Sequence, residues 1–240
     1  MEIERLKLTR GTKVPNEGGC TNFGGIALAT SKKLYAIKTR QDNSVSTIYS
    51  FLDYREQSYT KRTYTGKLGH GNGLAFGDGL LAVAPCGNYL TIIDTKTLKR
   101  TEYKSCKYIS AVAYKGAGVW LVRSKGDIYK VQASGDMVKI LGRYKLNNPM
   151  ASEGFVVTQD ITYKRGKLYC VYSNKQKTQN CIIVNLLNGK TTGQLEVEKV
   201  YISGKSDTLY EWESVAVKAN GDIIIAANTA DGDYLYTAEI

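Results

Sequence analysis

QDITYKRGKLYCVYS, residues Gln159–Ser173, is the stretch on which the reading of this chain turns. A polar pair leads into a short run of Ile, Thr and Tyr, a basic Gly-bearing turn reverses the direction, and a second apolar run follows. Runs this short, rich in β-branched and aromatic residues, suit strands, and a polar turn carrying Gly joins two strands as a hairpin. The same pattern recurs four times: GGIALATSKKLYAIKT (24–39), NGLAFGDGLLAVAP (72–85), SAVAYKGAGVWLVRS (110–124) and ESVAVKANGDIIIAAN (213–228).

The first large apolar residue of each repeat is Ile26, Leu74, Val112, Ile161 or Val215, giving spacings of 48, 38, 49 and 54 residues. A period of about 40–50 residues is that of a four-stranded propeller blade. No run of 10–12 residues carries a helical apolar period, which excludes helical repeats. The expected fold is therefore all-β: a five-bladed β-propeller of four-stranded blades, with blades near 22–66, 70–106, 108–147, 157–203 and 211–240. The innermost strands begin at the five marker residues. The turns Phe76-Gly77-Asp78-Gly79 and Ala219-Asn220-Gly221-Asp222 read as tight hairpins. The fifth blade runs out of chain after three strands, and Glu2–Thr9 alternates Ile3, Leu6 and Leu8 with charges. The N-terminal strand is expected to join the last blade as its outer strand and so close the ring, since an open sheet edge is costly.

Lys and Arg total 33 against 22 Asp and Glu, a net charge of +11. Charge of this size bears on partners and solubility rather than on fold. The basic residues are scattered through turns and alternate strand positions (Lys32, Lys33, Lys61, Arg62, Lys96, Lys99, Arg100, Lys164, Arg165, Lys167). That reads as a solvated surface, compatible with an anionic polymer and arguing against nucleic acid, whose recognition needs a clustered stripe. Only three prolines and no charge block interrupt the chain, so one domain spanning 1–240 is the simpler reading. Five cysteines without C-x-x-C spacing, and a single histidine, His70, give no zinc set; no metal and no cofactor is expected. Buried thiols are the default, with a Cys170–Cys181 disulfide left open as the alternative. The charged N-terminus lacks an apolar leader core and no segment approaches eighteen apolar residues, so the expectation is a soluble, cytoplasmic monomer without a membrane span. A leader already removed from the chain would make it secreted or surface-associated instead.

Propeller ligands gather at a channel mouth. Two residues before each marker stand Gly24, Asn72, Ser110, Gln159 and Glu213. Four before stand Asn22, His70, Tyr108, Val157 and Glu211, on the same face by the strand period of two. The expected ligand-binding set is Asn22, His70, Asn72, Tyr108, Ser110, Gln159, Glu211 and Glu213. Groups this polar inside a domain must meet water, a ligand or each other. Glu211 and Glu213 form a candidate acid/base pair with Cα atoms roughly 6.5–7 Å apart in an extended strand, although both lie on one side of any substrate, whereas glycosidases flank the bond. Asp160 is expected to point the other way, into packing or a cap. GHGNG (69–73) precedes a strand, so it is not a phosphate loop, which must open a helix. No Ser-His-Asp order, G-x-S-x-G or calcium loop is present. Eighteen tyrosines against four phenylalanines offer stacking surfaces for sugars, though strand packing accounts for most of them.

GHGNGLAF (69–76), QDITYKRGKLYCVYS (159–173) and EWESVAVKANGDIIIAAN (211–228) resemble the blade motifs of small bacterial and phage propellers, including helveticin-like and teichoic-acid-associated proteins. In overall size the chain is similar to the tachylectin type of five-bladed lectin. The resemblance implies glycan recognition at a surface or cell wall, with His70, Asn72, Gln159, Glu211 and Glu213 at the matching positions. The leading expectation is a non-enzymatic propeller binding a small molecule, a glycan or an anionic surface polymer. Its alternatives are a glycan-cleaving hydrolase or lyase using Glu211, Glu213 and His70, and a protein-interaction scaffold.

Overall fold

The computed structural model describes residues 2–66, 68–187 and 193–240. β1 (Glu2–Arg5) and β2 (Thr9–Lys13) are followed by a series of antiparallel meanders. The first is β3 (Asn22–Leu28), β4 (Leu34–Thr39), β5 (Val45–Phe51) and β6 (Tyr59–Thr65). The second is β7 (Gly73–Gly77), β8 (Leu80–Ala84), β9 (Gly87–Asp94) and β10 (Arg100–Ile109). The third is β11 (Ala111–Gly116), β12 (Val119–Ser124), β13 (Asp127–Ser134) and β14 (Met137–Lys145). The fourth is β15 (Phe155–Lys164), β16 (Lys167–Asn174), β17 (Asn180–Leu186) and β18 (Glu196–Ile202). The last, β19 (Tyr210–Val217), β20 (Ile223–Thr229) and β21 (Gly232–Ala238), supplies three strands of its own.

β3, β7, β11, β15 and β19 each border two of the others and close a ring, with the remaining strands stepping outward. The molecule is a β-propeller. By hydrogen bonding alone it divides into four sheets, because a parallel bridge between Lys104 of β10 and Met137 of β14 fuses the second and third meanders into one of eight strands. The hairpin at Asp78-Gly79 has positive φ at both residues (51° and 75°), the geometry of the two-residue turn that its Asp-Gly sequence favours.

Each sheet is packed on both faces, which explains why β4 (LYAIKT) and β8 (LLAVA) read as near-continuous apolar runs instead of alternating ones. Apolar clusters fill the gaps between consecutive meanders. Ile37 of β4 meets Val83 of β8, Leu90 shares a cluster with Trp120, Leu121 with Cys170, Val171 with Ile225, and Ile224 with Leu34. Each large aliphatic residue so buried contributes about 1.5–3 kcal/mol.

The N-terminus closes the ring, but not with the residues the sequence pattern suggested. β2 adds to β21 as an antiparallel outer strand (Thr9↔Thr237, Lys13↔Tyr234), whereas β1 adds in parallel to the preceding sheet, on β18 (Ile3↔Val200). Glu2–Thr9 is thus split between two sheets. Leu6 is the cause: it turns inward, 6% exposed, into the cluster between them, and Leu8 packs at its margin. The imperfect alternation of Ile3, Leu6 and Leu8 is the trace of that crossing. All five cysteines are free, with Cys170 and Cys181 buried. Among the described residues no helix is long and apolar enough to cross a membrane.

Candidate functional site

β-Bulges set the geometry where the inner strands begin, an end called here the upper mouth. The pairing register shifts between Phe23 and Ile26 in β3, between Thr158 and Ile161 in β15, and between Trp212 and Ser214 in β19. A bulge leaves a residue unpaired and re-aims its side chain. In the last two strands the re-aimed residues are Gln159, Asp160 and Glu213.

Gln159, Glu211 and Glu213 are brought together. Gln159 Nε2 donates to Glu211 Oε1 at 2.6 Å, and Lys177 Nζ, from the β16–β17 turn, pairs with Glu211 Oε2 at 2.8 Å. Asn228 of β20 donates to Glu213 Oε1. The two glutamates are 2% and 7% exposed. Burial, and then the neighbouring Glu211, push the Glu213 carboxyl well above the usual carboxylate range, against smaller opposing pulls from Lys177 and Asn228. A neutral acid therefore sits beside a salt-bridged carboxylate, the arrangement in which two like groups share a site. The buried Asn228 Oδ1 has no hydrogen-bond partner among the described residues.

His70 stands at the rim. Burial and Lys177 lower its pKa while Glu211 opposes them, so the ring is neutral at pH 7. Nδ1 lies 3.2 Å from Asn43 Oδ1, an acceptor, which assigns the proton to Nδ1 and leaves Nε2 with its lone pair. Asn72 Nδ2 donates to the Ser110 carbonyl at 3.1 Å, and Ser110 Oγ to that of Arg123 at 3.3 Å. The first bond joins the starts of the adjacent inner strands β7 and β11; the second stays within the third meander, between β11 and β12. Asn22 is half-buried and Tyr108 is 46% exposed; neither hydrogen-bonds to the glutamate cluster.

Asp160 is packed and caps a backbone amide, as expected, but in another direction. The bulge turns its carboxyl, fully buried, in among the inner strands. Oδ2 accepts from Ser214 Oγ at 2.6 Å and from the Leu74 amide at 3.4 Å, while Ser214 Oγ accepts from the Ile26 amide at 3.1 Å. Burial raises the Asp160 carboxyl to about 8, against the pull of Ser214 and of the Ile161, Leu74 and Val112 amides. Through one carboxyl and one hydroxyl the inner strands β15, β19, β7 and β3 are tied at the centre, while the buried Asp160 Oδ1 has no hydrogen-bond partner among the described residues. The tie leaves no room around it: a Cβ on Gly73 would come within 2.4 Å of Asp160 Oδ1.

Sequence reasoning missed Asp160, Ser214, Lys177 and Asn228. For the first two a signal existed. One residue before the markers the repeats carry Gly25, Gly73, Ala111, Asp160 and Ser214, a column of small residues interrupted by one acid. Lys177 had none, since it lies in a polar turn like any other.

No family model and no curated protein matches the chain. Solved structures do. Glutaminyl cyclase of Myxococcus xanthus superposes with a TM-score of 0.66 at 12% identity, over 99% of this chain and 98% of that one. A luciferin-regenerating enzyme gives 0.53 at 10% identity (98% and 95% covered), and the WD40 propeller domain of Doa1 gives 0.52 at 10% (98% of each). These likenesses show the fold. The neighbours themselves include both enzymes and a WD40 domain.

Proposed function

We propose that the chain is a single five-bladed propeller that binds a small, neutral, hydroxyl-rich ligand, a glycan terminus, at the upper mouth without transforming it. The blade count rests on the five-membered inner ring and on the five clusters between consecutive meanders. The observation that carries the binding reading is the buried group of Gln159, Glu211, Glu213 and Asn228. It presents a carboxylate, a neutral carboxyl and two amides within a few ångströms, and one buried amide oxygen is unpartnered. Adjacent hydroxyls, each both donor and acceptor, match such a mixed set. The Glu211 carboxylate disfavours an anionic polymer at this end. Titration of mono- and oligosaccharides against wild type and Glu211→Gln is the test. Saturable binding weakened at least tenfold in the variant is expected, and no saturable binding by any sugar overturns the reading.

A second reading is favoured by one observation. A neutral Glu213 beside Glu211 is a general acid with a carboxylate at its side, and the Myxococcus xanthus neighbour, which matches over nearly the whole of both chains, is named a glutaminyl cyclase. Under it, a glycan is cleaved with a bell-shaped pH profile. Glu213→Gln then abolishes the rate; an unchanged rate sinks that assignment.

A further inference from the structure

The opposite end of the channel has a different chemistry. A funnel of about 450 Å³ opens there, within the size range of small-molecule sites. Its depth is formed by the ends of the inner strands, at Ile26, Ala27, Leu74, Ala75, Ala216 and Val217. Its rim carries Lys115, Lys164 and Arg165, with Phe76, Tyr114 and Tyr163 between them. Lys115 and Lys164 are half-buried, and none of the three cations forms an ion pair among the described residues. Some basic residues elsewhere are answered by carboxylates, Lys61 by Glu17, Lys167 by Glu198, Lys199 by Glu4 and Lys218 by Asp222; the three at this rim are set apart by sharing one concavity. Lys115 Nζ instead hangs 5.8 Å over the Tyr163 ring.

We infer that this lower mouth binds a small phosphate-bearing anion. Three like charges converging on one concavity repel each other until an anion neutralises them. The planar Arg fork and two mobile ammonium groups are suited to phosphate oxygens. The rings beside them supply a face for an attached ring. The Asp160–Ser214 tie closes the axis between the two mouths, so this site is separate from the glutamate cluster and does not depend on what binds there.

Calorimetric titration with inorganic pyrophosphate and with AMP, on wild type, Lys115→Gln/Lys164→Gln and Glu213→Gln, tests the inference. The expected result is saturable binding by wild type, weakened by about tenfold per cation removed, falling with added salt, and unchanged in Glu213→Gln. Binding by neither anion overturns it, as does equal affinity in the double variant. If the double variant fails to fold, the salt series on wild type decides: affinity independent of salt between ~50 and ~500 mM refutes a charge-borne site.

Discussion

Replacing Asp160 by Ala tests whether one carboxyl holds the inner ring together. The substitution leaves the Ser214 hydroxyl and the Leu74 amide without their acceptor, in a place with no water access. Each buried donor so orphaned costs about 1–3 kcal/mol, so about 2–6 kcal/mol is at stake. A water admitted to the vacated space would return part of this, which puts the expected loss near ~3 kcal/mol. For a chain of this length that is a fall in Tm of roughly 6–12 °C. Denaturant unfolding followed by tryptophan emission is suitable, since Trp120 and Trp212 are both buried. A loss below about 0.5 kcal/mol would refute the axial tie. The same residue carries a pH signature. Its pKa is raised to about 8 in the fold, against about 3.9 in an unfolded chain, so the native state binds the extra proton. Its contribution is complete below the unfolded value and is lost as pH climbs through the window from about 4 to about 8. Asp160→Asn, which cannot titrate, removes that slope; stability curves of wild type and Asp160→Asn that run parallel over this window would show the carboxyl to be ionised in the fold.

Two further substitutions probe the closure of the ring. Lys38, on β4, is fully buried and reaches across to Asp233 of β21, the Asn16 side chain and the Val14 carbonyl, joining the first meander to the last sheet. Lys38→Ala strands the Asp233 carboxylate and should cost about 3–5 kcal/mol in equilibrium unfolding, whereas a loss under ~1 kcal/mol would mean that water replaces the ammonium. Gly73→Ala forces a methyl against the Asp160 carboxyl. It should destabilise by about 1–3 kcal/mol as overpacking does, and in the Asp160→Ala background its cost should shrink but not vanish, because the methyl still lies 3.1 Å from the Ala111 Cα; fully additive costs would place the clash elsewhere.

How much of this was legible in the sequence depends on which backbone edge is asked about. The strands themselves follow from apolar runs and turn chemistry. The second meander begins as the pattern predicts, although its last strand, β10, continues to Ile109, past the expected blade limit at 106. The continuation was hidden because residues 105–109 (SCKYI) alternate weakly and half face solvent. The closing strand was misplaced for a different reason. Pairing partners are not written in a strand's own residues, and only the inward turn of Leu6 separates Glu2–Arg5 from Thr9–Lys13.

The bulges account for both the success and the failure at the site. A strict period of two correctly groups Gln159, Glu211 and Glu213, because all three lie at or before the register shifts. The same period sends Asp160 to the wrong place, because the extra residue inserted between Thr158 and Ile161 swings its carboxyl from the sheet's flank to the axis. Register is a cooperative property of two strands, set here by Cys170 holding Ile161 and Tyr172 holding Thr158, so one strand read alone cannot reveal it. The column of small residues at Gly25, Gly73, Ala111 and Ser214 carries the missing information in another form. Five backbones approach one point, and such crowding admits a single side chain of any size. The one large polar residue in that column must then fill the centre, where it meets the amides of its neighbours. Asp160 is thus predictable from the exclusion of bulk at the other four positions, and the separation of an acidic upper mouth from a basic lower one follows from its presence between them.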